Sequence, residues 1–491
     1  EWCISYLATT CSNMVIVPID KALPDIEMQR LIERSEAKAI IFDEKYLETI
    51  KKVQEKENSN LKTLICMDNI QEKGIKTFNE ILEEGRNQIK NGDQKYDNIE
   101  IDENKMSIML FTSGTTNEPK AVMLSQANIC ANISNIACWV KLYPTDVLLS
   151  FLPIHHTFEC TITFLYGFYS GSQVAFCDGL KHIQQNLKEY KVSVFVAVPL
   201  VLETMYKKIQ KAIEEQGKTG LINKMTKISN TLLKAKIDIR KIVFKQILDN
   251  FGGNLRVVLY GAAPMNKATI IGYNNLGISL VQGYGLTETS PVVTAETDKE
   301  KRPGSIGLAL ANLNLKIANP DNEGVGEITV KGPSVMLGYY KNPEETKKVL
   351  KDGWFSTGDY GYKDKDGFVY ITGRKKDIIV LKNGKNVYPQ EIEFLINKIP
   401  YIAESLVYSR DKDTTDTMLC AKIVYDKDTI KQMIGEKTEE EYKEIIWQEI
   451  KKINQELPIF KKIKNITITT EPLKKTTTQK VKRYEELKNL T

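Results

Sequence analysis

The chain has 491 residues, 42% hydrophobic and 27% charged, an ordinary globular balance with apolar material for a large core and room for two to four structural units. Its 68 basic residues stand against 63 acidic ones, and a net charge of +5 gives no ground for a nucleic-acid partner. The eight cysteines form no CxxC pair, zinc spacing or disulfide framework, and no apolar run approaches the length of about 18 residues that a spanning helix needs.

Glu1-Trp2-Cys3 has no initiator Met and no basic run before an apolar stretch, so it is not read as a signal peptide; it looks like the interior of a helix, and the sequence is expected to be a piece of a longer chain. Isolated, mostly apolar-flanked cysteines read as small core residues of a reducing compartment, which makes a cytoplasmic protein the expectation. The helix-like stretch 2–8 leads into 14–20, short, β-branched and read as a buried strand. Residues 39–43 and 64–68 are again short apolar strands ending in Asp, with charged helical stretches such as 24–36 around them, and the pattern continues at 192–198 and 255–260. Buried strands alternating with amphipathic helices imply βαβ units and a largely parallel sheet. Residues 83–104, rich in Asn, Asp and Lys, read as a surface linker; 207–250, rich in Lys and Ile at helical spacing, read as helices covering the sheet rather than as a basic membrane-surface helix.

From 305 to 372 short strands alternate with glycine turns, the texture of a small antiparallel, barrel-like β unit. Beyond 376 the pattern is mixed α+β with a charged helix over 436–455. The expected fold class is therefore α/β. A large N-terminal domain, 1–374, holds layered βαβ sheets over 1–304 and the small β unit over 305–373. A smaller C-terminal α+β domain, 375–491, follows, with the boundary near 374–377.

Several segments carry chemistry. Phe111-Thr112-Ser113-Gly114-Thr115-Thr116-Asn117-Glu118-Pro119-Lys120 follows an apolar strand, 107–110. Hydroxyls and backbone N–H groups are what phosphate oxygens need, and Lys supplies charge. It is not a Walker A loop: counting from Gly114, Pro119 holds the second glycine position and Ala121 the Ser/Thr position. Composition alone weighs a phosphate loop and a Ser/Thr-rich surface turn about equally. Val281-Gln282-Gly283-Tyr284-Gly285-Leu286-Thr287-Glu288 is not a dinucleotide fingerprint, because Glu288 stands at the third glycine position. Its glycines let backbone approach a flat ring or a phosphate, Thr can bond phosphate, and Glu can hold Mg²⁺ through oxygen. Tyr260-Gly261-Ala262-Ala263-Pro264 alone is an ordinary glycine loop, and an isolated turn Asp such as Asp359 is usually a turn cap. His155-His156 invites a metal reading, but adjacent side chains diverge and no third ligand is evident.

Taken together and in order, these segments resemble the acyl- and aryl-adenylate-forming superfamily, and most closely its bacterial long-chain fatty acyl-CoA synthetases. TSGTT-x-EPK looks like that family's phosphate loop, with Asn117 and Ala121 where Gly is usual, and QGYGLTET like its GYGxTE motif. Trp354-Phe355-Ser356-Thr357-Gly358-Asp359, Ile371-Thr372-Gly373-Arg374-Lys375-Lys376-Asp377 and 473–483, ending Gln479-Lys480-Val481-Lys482-Arg483, are similar to its remaining motifs, with Gln479 in place of Gly. The resemblance implies that Thr112, Ser113, Gly114, Thr115, Thr116 and Lys120 cradle phosphates; that Gly261, Ala262, Ala263, Gly283, Tyr284 and Gly285 line the adenine; and that Asp359, Ile371 and Arg374 face the ribose. It further implies that Thr287 meets the α-phosphate, that Glu288 with Thr115 positions Mg²⁺, that His156 sits by the carboxylate pocket, that Lys480 is the catalytic lysine, and that Lys376 is the hinge of a mobile C-terminal domain. The Phe- and Tyr-rich stretch 158–169 suits an apolar tail.

The implied activity is that of an acid–thiol ligase. A fatty acid and ATP give an acyl-adenylate and pyrophosphate, and CoA then takes the acyl group. ATP, Mg²⁺ and CoA are the implied cofactors and co-substrates, and any membrane contact is expected to be peripheral, through the acyl substrate. Three alternatives stay open: an acyl-ACP synthetase or acyl-AMP ligase; a nonribosomal adenylation domain, less favoured because no Asp for an ammonium group is obvious after His156; and a catalytically impaired nucleotide-binding module.

Overall fold

In the computed structural model the described residues are 1–112, 119–297, 300–381, 385–411, 417–475, 481–488 and 490. Packing divides the chain into two units: Glu1–Asn314 with Val330–Phe355, and Leu315–Thr329 with Ser356–Thr491.

In the first unit, β1 (Ala39–Phe42), β2 (Thr63–Cys66) and β3 (Ile75–Thr77) form a parallel three-stranded sheet over a core that includes Met28, Ile32, Phe42, Ile50 and Leu64. β4 (Met106–Thr112) and β5 (Lys120–Ser125) form an antiparallel hairpin whose second strand also pairs with Gly338–Tyr339. The main sheet takes β6 (Val147–Ser150), β7 (Gln173–Phe176), β8 (Val194–Ala197), β9 (Val257–Tyr260), β10 (Ser279–Gly285), β11 (Val292–Ala295) and β12 (Leu308–Ala309) in the order β12-β11-β10-β9-β8-β6-β7. From β10 to β7 every neighbouring pair is parallel. Parallel neighbours need crossovers, and helices such as Pro199–Glu215, Thr219–Lys234 and Lys267–Leu276 supply them. β8 and β9 are buried at every residue, so each reads as an unbroken apolar run rather than an alternation. Leu149, Phe195, Phe244, Val258, Tyr273 and Leu280 pack one core beside this sheet.

Three local expectations change. Residues 14–20 make only one bridge, Ile16 to Ile108, because Pro18 has no N–H to extend a ladder. Residues 83–90 belong to the helix Phe78–Lys90, started by a capping box in which the Thr77 hydroxyl accepts from Glu80 N at 3.2 Å and the Glu80 carboxylate from Thr77 N at 2.7 Å. Of the cysteines, Cys66, Cys160 and Cys420 are buried, whereas Cys11, Cys130 and Cys138 are exposed; flanking apolar residues do not reveal which face of a helix a cysteine takes.

In the second unit Ile402–Asp411 pairs antiparallel with Thr417–Tyr425, which runs parallel to Asn465–Thr469. The helices Pro389–Ile396 and Glu439–Glu456 contribute Ile392, Ile396, Tyr442, Ile446 and Ile450 to its core. The charged helix starts at Glu439 because Thr438 and Glu441 form a capping box there. Among the described residues no helix is long and apolar enough to cross a membrane.

Candidate active site

The parallel strands β6, β9 and β10 point their carboxyl ends to one edge of the sheet, where ligands of open α/β sheets bind. Residues 152–158 follow β6, Gly261–Pro264 follow β9, and Gly283 to Glu288 close β10, so three segments far apart in sequence share that edge. Thr157 Oγ1 donates to Thr287 Oγ1 at 3.2 Å. A Cβ built on Gly261 would stand 2.7 Å from the Gly283 carbonyl oxygen and 3.7 Å from the Phe158 ring, a passage only hydrogen fits. Ala262 holds a left-handed φ of 70°, and Ala262 and Ala263 are exposed at the strand's mouth. Tyr284 is half-buried opposite Thr294.

The His156 ring accepts from Phe158 N at Nδ1, 3.3 Å, which places a neutral ring's proton on Nε2. His155 faces Asp20 instead, 3.8 Å away, and burial holds its pKa below the usual value against the pull of Asp20. Among the described residues no group of three or more His, Cys, Asp or Glu side chains is placed to hold a metal.

Residues 159–166, directly after this segment, form a π-helix, a rare geometry frequent at functional sites. Glu159 at its start is wholly buried. Thr163 donates to it at 3.0 Å, but burial outweighs that bond and the neighbouring Ser150 and Phe151 N–H, pushing its carboxyl up to about 8. A raised carboxyl pKa means that the unfolded chain ionises first. Stability is therefore expected to fall as pH rises from 4.5 toward about 8 and to level off above. Glu159→Gln should flatten that limb, whose slope approaches about 1.4 kcal/mol per pH unit, in urea melts across the range; an unchanged slope would show that the carboxyl is ionised in the fold.

The hydroxyl-rich segment read from the sequence as a phosphate loop lies between Thr112 of β4 and Lys120 of β5, which are paired across the hairpin. Ser113, Gly114, Thr115 and Thr116 lie outside the described residues. Lys120 Nζ lies 2.7 Å from Glu345 and 4.9 Å from the Tyr339 ring centroid. That lysine, with Lys348, holds Glu345 down to about 2. Tyr339 OH donates to Glu288 Oε1 at 3.0 Å, and Met336 N donates to the Glu288 carbonyl at 2.9 Å. Sequence reasoning missed Thr157, Tyr339 and Glu345; Gly338-Tyr339-Tyr340 and Pro343-Glu344-Glu345 form a short polar-aromatic cluster, but nothing local ties them to Glu288. The carboxylate oxygens of Glu288 are hard donors that suit Mg²⁺, which is commonly held by one or two carboxylates together with substrate phosphates.

In the second unit Asp359 is only 2% exposed and lies opposite Arg374 in an antiparallel pair, with Arg374 Nε 2.7 Å from its Oδ1. Ile371, nearby on the same strand, is partly exposed. Lys376 sits in the short turn Lys375–Asp377, and burial lowers its pKa. Lys480 lies outside the described residues; on either side of 476–480, Lys475 and Val481 form an antiparallel bridge, and Arg483 bonds Glu393 at 2.6 Å.

A large α/β unit built on a mostly parallel sheet, followed by a smaller α+β unit, is the architecture of adenylate-forming enzymes. The chain belongs to the AMP-binding enzymes: residues 1–340 match that family and residues 376–490 match the AMP-binding enzyme C-terminal domain. It is a ligase related to long-chain fatty acid–CoA ligases. Long-chain-fatty-acid–CoA ligase 5 of Mus musculus is 30% identical over 96% of this chain and 74% of its own length. The chloroplastic long-chain-fatty-acid–[acyl-carrier-protein] ligase AEE15 of Arabidopsis thaliana is also 30% identical, over 78% of this chain and 60% of its own. Among solved structures, the anthranilate CoA ligase AuaEII in complex with anthranoyl-AMP superimposes with a TM-score of 0.77 at 18% identity, over 100% of this chain and 85% of that one, which shows the shared fold.

Proposed function

We propose that this ligase activates a long-chain fatty acid with ATP and transfers the acyl group to CoA. The observation that carries the reading is the convergence at one sheet edge of the segment bearing His156 and Thr157, the Gly261 turn and Thr287–Glu288, with Thr157 on Thr287. The carboxylate attacks the α-phosphorus, the bond to the β-phosphate oxygen breaks, and pyrophosphate leaves. Such chemistry is mostly positioning and charge stabilisation. Thr287 orients the α-phosphate, His156 and Phe158 border the acid, the glycines of 261–285 admit adenine against Tyr284, and Asp359 with Arg374 takes the ribose hydroxyls. Lys480 and the loop from Thr112 to Lys120 neutralise developing negative charge. Mg²⁺ held by Glu288, with Thr115, would supply further neutralisation of the phosphates. Rotation about Lys376 then withdraws Lys480, and the CoA thiolate attacks the acyl carbonyl and displaces AMP. The π-helical, aromatic segment after His156 provides the apolar surroundings an acyl tail needs.

The relatives whose names specify long-chain fatty acids support that acid class, and the plant ACP ligase keeps acyl-carrier protein as the second acceptor to test. Pyrophosphate release should be measured over a panel of short-chain, long-chain and aromatic acids, with CoA or acyl-carrier protein as acceptor. Long-chain acids are expected to be turned over at least 10-fold faster than the others, and CoA to be required for turnover. Preference for an aromatic acid would remove the fatty-acid reading, preference for carrier protein would move the acceptor, and absence of any acid-dependent exchange in a protein that binds ATP would leave only a binding module.

A further inference from the structure

Glu288 has its backbone and its side chain held by different neighbours. Its carbonyl accepts from Met336 N at 2.9 Å, so the main chain is fixed whatever the carboxylate does. The carboxylate itself accepts at Oε1 from Tyr339 OH at 3.0 Å. Tyr339 is buried and stands in the short strand Gly338–Tyr339, paired in register with Val122 and next to Leu337, whose N–H bonds the Met123 carbonyl. Its own N–H donates to Thr346 Oγ1 at 2.9 Å. The ring is pinned from the side by Lys120, 4.9 Å from its centroid, and Lys120 is in turn held by Glu345. A phenol this constrained offers its hydroxyl in one direction.

A carboxylate on a rotatable stem loses side-chain entropy when it binds a cation, and a donor that fixes its orientation beforehand lowers that cost. Metal-ligating carboxylates are themselves generally hydrogen-bonded, and loss of the supporting donor typically weakens metal affinity about 10–100-fold. We propose that Tyr339 is a positioning residue for the divalent cation. Its hydroxyl occupies Oε1 of Glu288 and leaves Oε2 to the cation, while the same ring lies against Lys120 of the β4–β5 hairpin. The inference rests on the assignment of Glu288 as the cation-holding carboxylate. It adds that an aromatic residue on another strand, outside the recognised motifs, sets that carboxylate's geometry.

The test measures binding, without turnover. The affinity of the intact protein for α,β-methylene-ATP is determined by calorimetry without metal and with saturating Mg²⁺, and the ratio of the two is the metal-linked gain. Tyr339→Phe keeps the ring against Lys120 and removes only the hydroxyl. It is expected to reduce that gain about 10-fold or more, with metal-free affinity and melting temperature essentially unchanged. Glu288→Gln is expected to abolish the gain. If Glu288→Gln loses the gain and Tyr339→Phe retains it in full, the positioning role is overturned while the cation assignment stands. A full gain in Glu288→Gln overturns both. A Tyr339→Phe protein that loses metal-free affinity in the same proportion, or melts markedly lower, shows a role in packing alone and also overturns the proposal.

Discussion

Lys480→Ala should abolish acyl-adenylate formation while largely sparing thioester formation from supplied acyl-AMP. The reason is the timing of charge. In the proposed first half-reaction negative charge moves onto the leaving pyrophosphate, and a fixed cation there would contribute on the order of 100- to 1,000-fold in rate. In the second, the adenylate is already made, and the lysine has no developing phosphate charge to neutralise. Acid-dependent exchange between ATP and labelled pyrophosphate reports the first step, and CoA ester formation from acyl-AMP reports the second. Equal loss of both would sink the account of one site used in two conformations. Replacement of the usual glycine by Gln479 beside this lysine makes the measurement informative, because backbone freedom there is reduced relative to glycine.

The second large effect concerns Gly285. A Cβ at this position would lie 1.8 Å from the Pro291 carbonyl oxygen and 2.9 Å from Val292 Cα, both backbone atoms that cannot swing aside. The hairpin is already irregular here, with its register shifting between Tyr284 and Gly285, and Leu286 N bonds the same Pro291 carbonyl at 3.0 Å. Gly285→Ala must therefore push β10 and β11 apart. The expected cost is about 1–3 kcal/mol of overpacking or more, seen as a lowered unfolding midpoint, together with loss of pyrophosphate exchange as Thr287 and Glu288 move. Gly283→Ala is the control: its added methyl would meet nothing closer than the Thr294 carbonyl at 3.8 Å, an ordinary contact. Its stability should stay within about 0.5 kcal/mol of the parent. If the two variants melt alike, the turn after β10 is more yielding than its geometry indicates.

Much of the architecture was legible from periodicity. Val194–Ala197 and Val257–Tyr260 are apolar at nearly every position because both of their faces are covered, and that is the mark of a central parallel strand. The stretch after Lys90 carries only turns, as its composition implies, but Phe78–Lys90 is a helix because the Thr77–Glu80 cap stabilises its first turn. Residues 14–20 looked like a strand from branching alone and failed to become one at Pro18.

The sequence by itself determined the chemistry on offer. Hydroxyls, glycines, Lys120, Glu288, Asp359 and Arg374 stand in short segments where backbone conformation and side-chain type act locally, so their patterns survive in one dimension. Only the tertiary structure decided which of them meet. Thr157 reaches Thr287 because β6 and β10 run parallel and end at the same edge, and Tyr339 reaches Glu288 because the Gly338–Tyr339 strand adds to β5. Burial of the π-helix pushes the Glu159 carboxyl up to about 8, a desolvation that follows from tertiary packing. Long-range pairing and burial depend on the whole chain's packing, and no local window encodes them.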